Sequence, residues 1–197
     1  RVRDMAEKEG ALALLSMSPR GHDGTIFVQG TSYRPSGYNM TSPEGITDIM
    51  LALEDYMTIC RLAKSGIPVK LDLDIQTAFN TADAKAYNVI AEIPGTDPKL
   101  KSEIVMLGAH LDSWQGATGA TDNAAGSAVM MEAVRILKAL NVKPKRTIRI
   151  ALWSGEEQGL LGSRGYVKAH FADPTVMALK PEHEKLSGYF NIDNGTG

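Results

Sequence analysis

Cysteine is almost absent from this 197-residue chain. Cys60 stands alone, which excludes an internal disulfide framework and a cysteine-rich zinc module. No apolar run approaches the roughly 18–20 residues needed to span a bilayer. Basic charge is not in excess, with 21 Lys and Arg against 23 Asp and Glu and a net charge of -2, which argues against a nucleic-acid binder. There is no internal repeat and no low-complexity block. What remains is 43% hydrophobic and 22% charged, enough apolar material to bury a core. The first ten residues hold no initiator methionine, no apolar signal core and no cleavage site. The chain stops just after an apolar run, and both ends read as cuts from a longer protein.

Residues 1–10 read as a charged helix ending at Gly10, and 11–16 as a short strand. Residues 19–45 are rich in Gly, Ser, Thr, Pro and Tyr and read as loops, with a strand near 25–29. Apolar residues at Ile49, Met50, Leu53, Met57 and Leu62 predict a helix over 47–63, closed by Lys64-Ser65-Gly66. Alternation over 69–75 predicts a half-buried antiparallel strand. The character then changes, and a boundary is placed near residue 78. Residues 87–93 predict a strand ending in a hairpin turn at Pro94-Gly95. Three nearly continuous apolar runs, 103–109, 147–153 and 188–192, suit strands covered on both faces. Between them lie helical stretches at 127–140, with Val129, Ala133, Ile136, Leu137 and Leu140 on one face, and at 160–171. Alternating strand and helix predicts an α/β fold, a doubly wound sheet with helices on both faces, preceded by a small α+β module.

In such a sheet, ligands bind beyond the C-terminal ends of the strands. His110 and Asp112 follow the first run, Glu156 and Glu157 the second, and Asp193 the third. Asp122 and Asn123 precede the helix at 127–140. One imidazole and several carboxylates without a thiolate suit a catalytic Zn²⁺, or else Mn²⁺ or Co²⁺. So many acids in a partly dry pocket need cations to stay ionised together. The set is large enough for two ions about 3.5–4 Å apart sharing a carboxylate. Glu156-Glu157 fits a division of labour in which one side chain binds metal and its neighbour takes a proton from water. Asp112 is placed to fix the imidazole tautomer of His110.

GAHLDS (108–113), GATDNAAG (119–126), WSGEEQGLLGS (153–163) and NID (191–193) together resemble the signatures of the co-catalytic zinc aminopeptidase and glutamate carboxypeptidase family. The wider pattern is similar to its carboxypeptidase Q branch: a helix and strand like 47–75 closing a protease-associated insert, an N-x-V-A-E-I-x-G strand like 88–95, and a K-P-K-R-T lead-in like 143–149. The resemblance covers 45–197 clearly and the first 45 residues loosely. It implies a protease-associated-like domain ending at 1–77 and part of the catalytic domain over 78–197. It implies that His110 and Asp193 bind one zinc, Glu157 the other, and that Asp122 bridges them, commonly through a cis peptide to the next residue. Glu156 would be the general base and Asp112 would support His110. A further His ligand belongs to a later loop, so the fragment alone is expected to be inactive or nearly so. The implied substrates are dipeptides or short peptides, the implied location is extracytoplasmic, and a homodimer is implied.

Each feature alone has a plainer reading. His-x-Asp is common, adjacent glutamates often open a solvated helix, Asp122 could be a helix N-cap, and Asp193 could be a strand-end turn residue. Their order and joint presence favour the metallopeptidase. A non-catalytic receptor-like protein on the same fold would usually have lost a ligand or the base. A glutaminyl cyclase-like transferase would lack the insert. His22, His170 and His183 read as surface residues, Cys60 as buried, and Met130 and Met131 as core.

Overall fold

The computed structural model describes residues 2–18, 23, 24, 26, 45–78, 82, 83, 85–114 and 116–193. Of the strand expected near 25–29 only Ile26 is among them, and His22 lies outside. The chain forms two compact units, Arg1–Phe79 and Asn80–Gly197.

In the first unit, helix α1 (Val2–Lys8) is followed by strand β1 (Ala13–Met17). β1 pairs in parallel with β2 (Thr47–Leu51), Ala13 opposite Thr47 and Met17 opposite Leu51. Arg3 and Ser16 both bind the carboxylate of Asp48. The helix expected over 47–63 is therefore only half helix. Residues 47–51 find a ladder partner in β1, and Ala52, with φ −58° and ψ 146°, is extended, so the helix α2 begins afterwards, at Leu53–Lys64. Local apolar spacing lost to a long-range pairing. Glu54 and Asp55 in the first turn and Arg61 and Lys64 in the last complement the helix dipole. Gly66, at φ 72°, turns the chain out of the helix. Cys60 is half-buried rather than buried.

The strand expected over 69–75 does not form. Residues 67–78 run without a ladder partner among the described residues, and Leu71, Leu73 and Ile75 are exposed. Alternation alone cannot hold a strand, because its backbone groups need a neighbour.

The second unit is built on a four-stranded sheet in the order β3–β5–β4–β8. Its members are β3 (Val89–Ile93), β4 (Ile104–His110), β5 (Thr147–Trp153) and β8 (Leu186–Asn191). β4 runs parallel to both β5 and β8, while β3 is antiparallel to β5. The hairpin expected at Pro94-Gly95 is thus absent, since β3 pairs with β5 and not with the next strand. That turn instead docks on the approach to β5: Gly95 N–H donates to Thr147 Oγ1 at 3.0 Å. A Cβ on Gly95 would lie 2.7 Å from the Lys145 carbonyl oxygen.

Helix α3 (Gly126–Ala139) connects β4 to β5. Helix α4 (Leu161–His170) and the short strands β6 (Ala172–Asp173) and β7 (Ala178–Leu179) connect β5 to β8. On one face of the sheet Ala109, Ile150 and Met130 pack with Leu107, Val134, Leu152 and Ile192. On the other, Ile104, Met106, Ala151, Trp153 and Phe171 pack with Tyr166 and Leu186. The Trp153 and Tyr166 ring centroids are 5.2 Å apart. The sheet is mixed α/β with helices on both faces.

The buried face of α3 is rotated from the expected one. Gly126, Ser127 and Met130 are buried, whereas Val129, Met131, Ile136 and Leu140 are exposed. The start of the helix sets this phase. Ser127 Oγ donates to the His110 carbonyl at 2.8 Å, and a Cβ on Gly126 would lie 2.2 Å from Asn123 Oδ1. β8 also departs from the expected two-sided burial, because Tyr189 and Phe190 are exposed on this outer strand. No helix among the described residues is long and apolar enough to cross a membrane.

Candidate metal centre

Because β4, β5 and β8 are parallel, their C-terminal ends share one sheet edge. His110 is the last residue of β4. The β5 strand ends at Trp153, three residues before Glu156, and Asp193 follows β8 after Ile192. Ile192 N–H still donates to the Gly108 carbonyl at 3.0 Å, which carries the β8 chain forward to Asp193.

His110 is 2% exposed. Its Nε2 lies 2.9 Å from Asp122 Oδ1 and 3.0 Å from Asp193 Oδ1. Its Nδ1 lies 3.0 Å from the backbone carbonyl oxygen of Asp112. A carbonyl oxygen can only accept, so Nδ1 carries a proton and Nε2 is the atom turned to the two carboxylates. The Asp112 carboxylate, expected to orient this ring, is 3.6 Å from Nδ1. It is engaged elsewhere: Oδ1 accepts the N–H of Glu156 at 3.0 Å and Oδ2 the N–H of Glu157 at 3.2 Å.

Two groups of potential ligand atoms each fall within 4.8 Å of one another. One contains His110, Glu156 and Asp193; the other contains His110, Asp122 and Glu157. The structure thus brings His110, Asp122, Glu156, Glu157 and Asp193 to one place. Asp122 sits in the turn 120–125, where its φ of −113° and ψ of 97° interrupt the helical path. The bond from Asp122 to Asn123 is cis. Asp122 itself does not cap α3. Asn123 reaches the helix start instead: its Oδ1 accepts the Gly126 N–H at 3.1 Å, and its Nδ2 donates to the Ile192 carbonyl at 2.8 Å. Asn123 is 1% exposed and ties the segment bearing Asp122 to the one bearing Asp193. Local pattern gives no signal for this, because Asn123 stands two residues ahead of Ala125, the position from which a capping side chain is expected.

Electrostatics follow from this crowding. Burial is the largest influence on His110 and disfavours its charge. Asp193, Glu156 and the Asp112 carbonyl outweigh it together, leaving the imidazole above its ordinary pKa. Burial lifts the Glu156 carboxyl; His110 opposes this, while Asp193, Asp112 and Asp122 add to it. Glu157 is lifted by burial first and by Asp122 next. Like charges gathered without a cation raise one another's pKa, and a bound cation would relieve both glutamates. His170 and His183 stand apart from this cluster. His170 stacks on Tyr166 with centroids 4.3 Å apart, and His183 is exposed.

Residues 88–196 match peptidase family M28. The chain is similar to carboxypeptidase Q of Bos taurus, 34% identical over 179 residues that cover 91% of this chain and 36% of the relative. It is similar to the crystal structure of a peptidase M28 precursor from Shewanella amazonensis, with 28% identity and a TM-score of 0.67 over 100% of this chain and 41% of that one. It also shares the fold of a zinc aminopeptidase from Bacillus subtilis, with 24% identity and a TM-score of 0.62 over 98% of this chain and 40% of that one. The chain therefore spans about two fifths or less of the length of each of these proteins.

Proposed function

The chain belongs to peptidase family M28, and from that membership we propose that it carries most of the metal site of a two-zinc exopeptidase acting on dipeptides or short peptides. The observation that carries this reading is the meeting of Asp122 and Asp193 at one nitrogen of His110. The donor set fits the ion. Ligands bonded to a tetrahedral Zn²⁺ at about 2.0–2.1 Å stand about 3.3 Å from one another. Each carboxylate oxygen keeps about that spacing from Nε2, at 2.9 and 3.0 Å, while the ligand atoms within 4.8 Å of one another place Asp193 with Glu156 and Asp122 with Glu157 around the shared His110. Asp122 and Asp193 are open to solvent on their outer sides, as a catalytic site with an exchangeable position requires.

In this reading His110 and Asp193 would hold one ion and Glu157 the other, with Asp122 shared by both. When bound, paired zinc ions polarise the scissile carbonyl and make the attacking water acidic. The Glu156 carboxylate takes the proton from that water and passes it to the leaving amine. Asp112 keeps the two glutamates side by side by holding both of their N–H groups. The His110 ring cannot rotate away while Nδ1 is bound to the Asp112 carbonyl.

Residues 1–77 are read as the end of a protease-associated-like domain and 78–197 as part of the catalytic domain. The division into two compact units and helix α2 support this; segment 67–78, with no ladder partner among the described residues, does not. An extracytoplasmic location and a homodimer rest on the carboxypeptidase Q resemblance.

Glu156→Gln in the full-length protein is the test. Zinc content is retained and kcat falls by about 10²–10⁴-fold, the usual loss of a general base. Undiminished activity would remove Glu156 as the base. An unmodified protein that takes up no zinc would end the reading as a whole.

A further inference from the structure

The segment that carries Glu156 and Glu157 leaves β5 after Trp153 and joins α4 at Leu161. Its two ends must be brought together and held. Two backbone bonds do part of this, Gly162 N–H to the Ser154 carbonyl and Leu161 N–H to the Gly155 carbonyl, both at 2.9 Å. A side chain from outside the loop completes the closure. Asn88, the half-buried residue just before β3, accepts the Ser154 N–H on Oδ1 at 3.1 Å and donates from Nδ2 to the Gly162 carbonyl at 3.0 Å.

A primary amide offers an acceptor and a donor side by side, and both are used here on opposite ends of one loop. Gly162 leaves the room for it: a Cβ there would lie 2.2 Å from Asn88 Oδ1 and 2.4 Å from the Ser154 carbonyl oxygen. Asn88 is itself anchored to the sheet, since the next residue, Val89, pairs with Leu152. The loop is thus held at its mouth by Asn88 and at its tip by Asp112.

We propose that Asn88 is a positioning residue for the glutamate pair, its amide clamping 154 to 162 and so setting where Glu156 and Glu157 stand beside His110. The inference rests on the reading of those two residues as base and ligand, because the clamp matters to function only through them.

Two variants test it. Asn88→Ala removes both bonds; Asn88→Asp keeps an acceptor for Ser154 and loses the donor to Gly162. Residue-resolved hydrogen exchange and zinc binding by equilibrium dialysis are measured on the whole protein. In Asn88→Ala the amides of 154–162 exchange at least about tenfold faster, while those of Leu107 and Ile150 in the mid-sheet do not change, and zinc binds more weakly. Asn88→Asp retains a protected Ser154 amide and loses protection around Gly162. Peptide hydrolysis loses kcat with KM held, because the displaced group is the proton acceptor. Equal acceleration across the sheet, loss of folding in both variants, unaltered loop exchange, or a change in KM alone each overturns the clamp. If the unmodified protein binds no zinc, the reading of the site fails instead, and the exchange pattern still decides whether Asn88 holds the loop.

Discussion

His110 and Asp112 meet through a backbone oxygen: the ring Nδ1 is 3.0 Å from the Asp112 carbonyl. The carboxylate of the same residue binds Glu156 and Glu157 instead. One residue therefore fixes the tautomer of the imidazole with its main chain and the register of the glutamate pair with its side chain. These are separable jobs, and substitution separates them.

Asp112→Asn leaves the carbonyl in place but presents one acceptor and one donor to two N–H groups. One of those groups loses its partner. Zinc affinity falls by about 10–100-fold, the range for groups that orient ligands. Nitrogen chemical shifts of His110 still report a proton on Nδ1. A lost Nδ1 proton would show that the carboxylate, not the carbonyl, sets the tautomer.

Zinc removal lowers the melting temperature. A ligand present at about 100 times its Kd adds about 2.7 kcal/mol to the folded state, which corresponds to about 5–10 °C in a chain of this size. Calorimetry with and without chelator measures it. The shift disappears in His110→Ala, since the site loses the nitrogen that Asp122 and Asp193 face.

Trp153 joins the buried cluster beneath α4 and donates from Nε1 to Tyr189 Oη at 2.7 Å. Trp153→Ala costs about 3–5 kcal/mol of stability by urea unfolding, the toll of emptying a large buried aromatic site. Trp153→Phe keeps most of the packing and forfeits the hydrogen bond, and costs about 1–2 kcal/mol.

Glu103 is held below its ordinary pKa by its bond to Arg146, at 2.6 Å, and next by Ser187. A carboxyl with a lowered folded pKa stabilises the fold above the unfolded value and loses that contribution as pH falls through the folded one. The stability gap between the wild type and Glu103→Gln is therefore present at neutral pH and closes on acidification below the ordinary glutamate range. Added salt narrows it, because the pair is open to solvent. Unfolding curves at several pH values provide the check.

The sheet and its functional edge are legible in the order of residues alone. The apolar runs ending at His110 and Trp153 are long and unbroken enough to be strands covered on both faces, and the polar residues that follow them can only emerge at one rim when the strands are parallel. The residue types of the site were legible for the same reason, since four short motifs each follow or join an element of that sheet. Contacts between distant residues set what local pattern cannot encode. Residues 47–51 became a strand because β1 offered a partner, and 67–78 did not because none of the described residues did. The facing of α3 came from the contacts of Ser127 and Gly126 at its first turn, not from its apolar spacing. The tasks of Asp112, Asn123 and Asn88 are likewise matters of distance. Each hydrogen-bonds to a residue tens of positions away, and only the packed sheet brings those atoms within about 3 Å, the reach of a hydrogen bond.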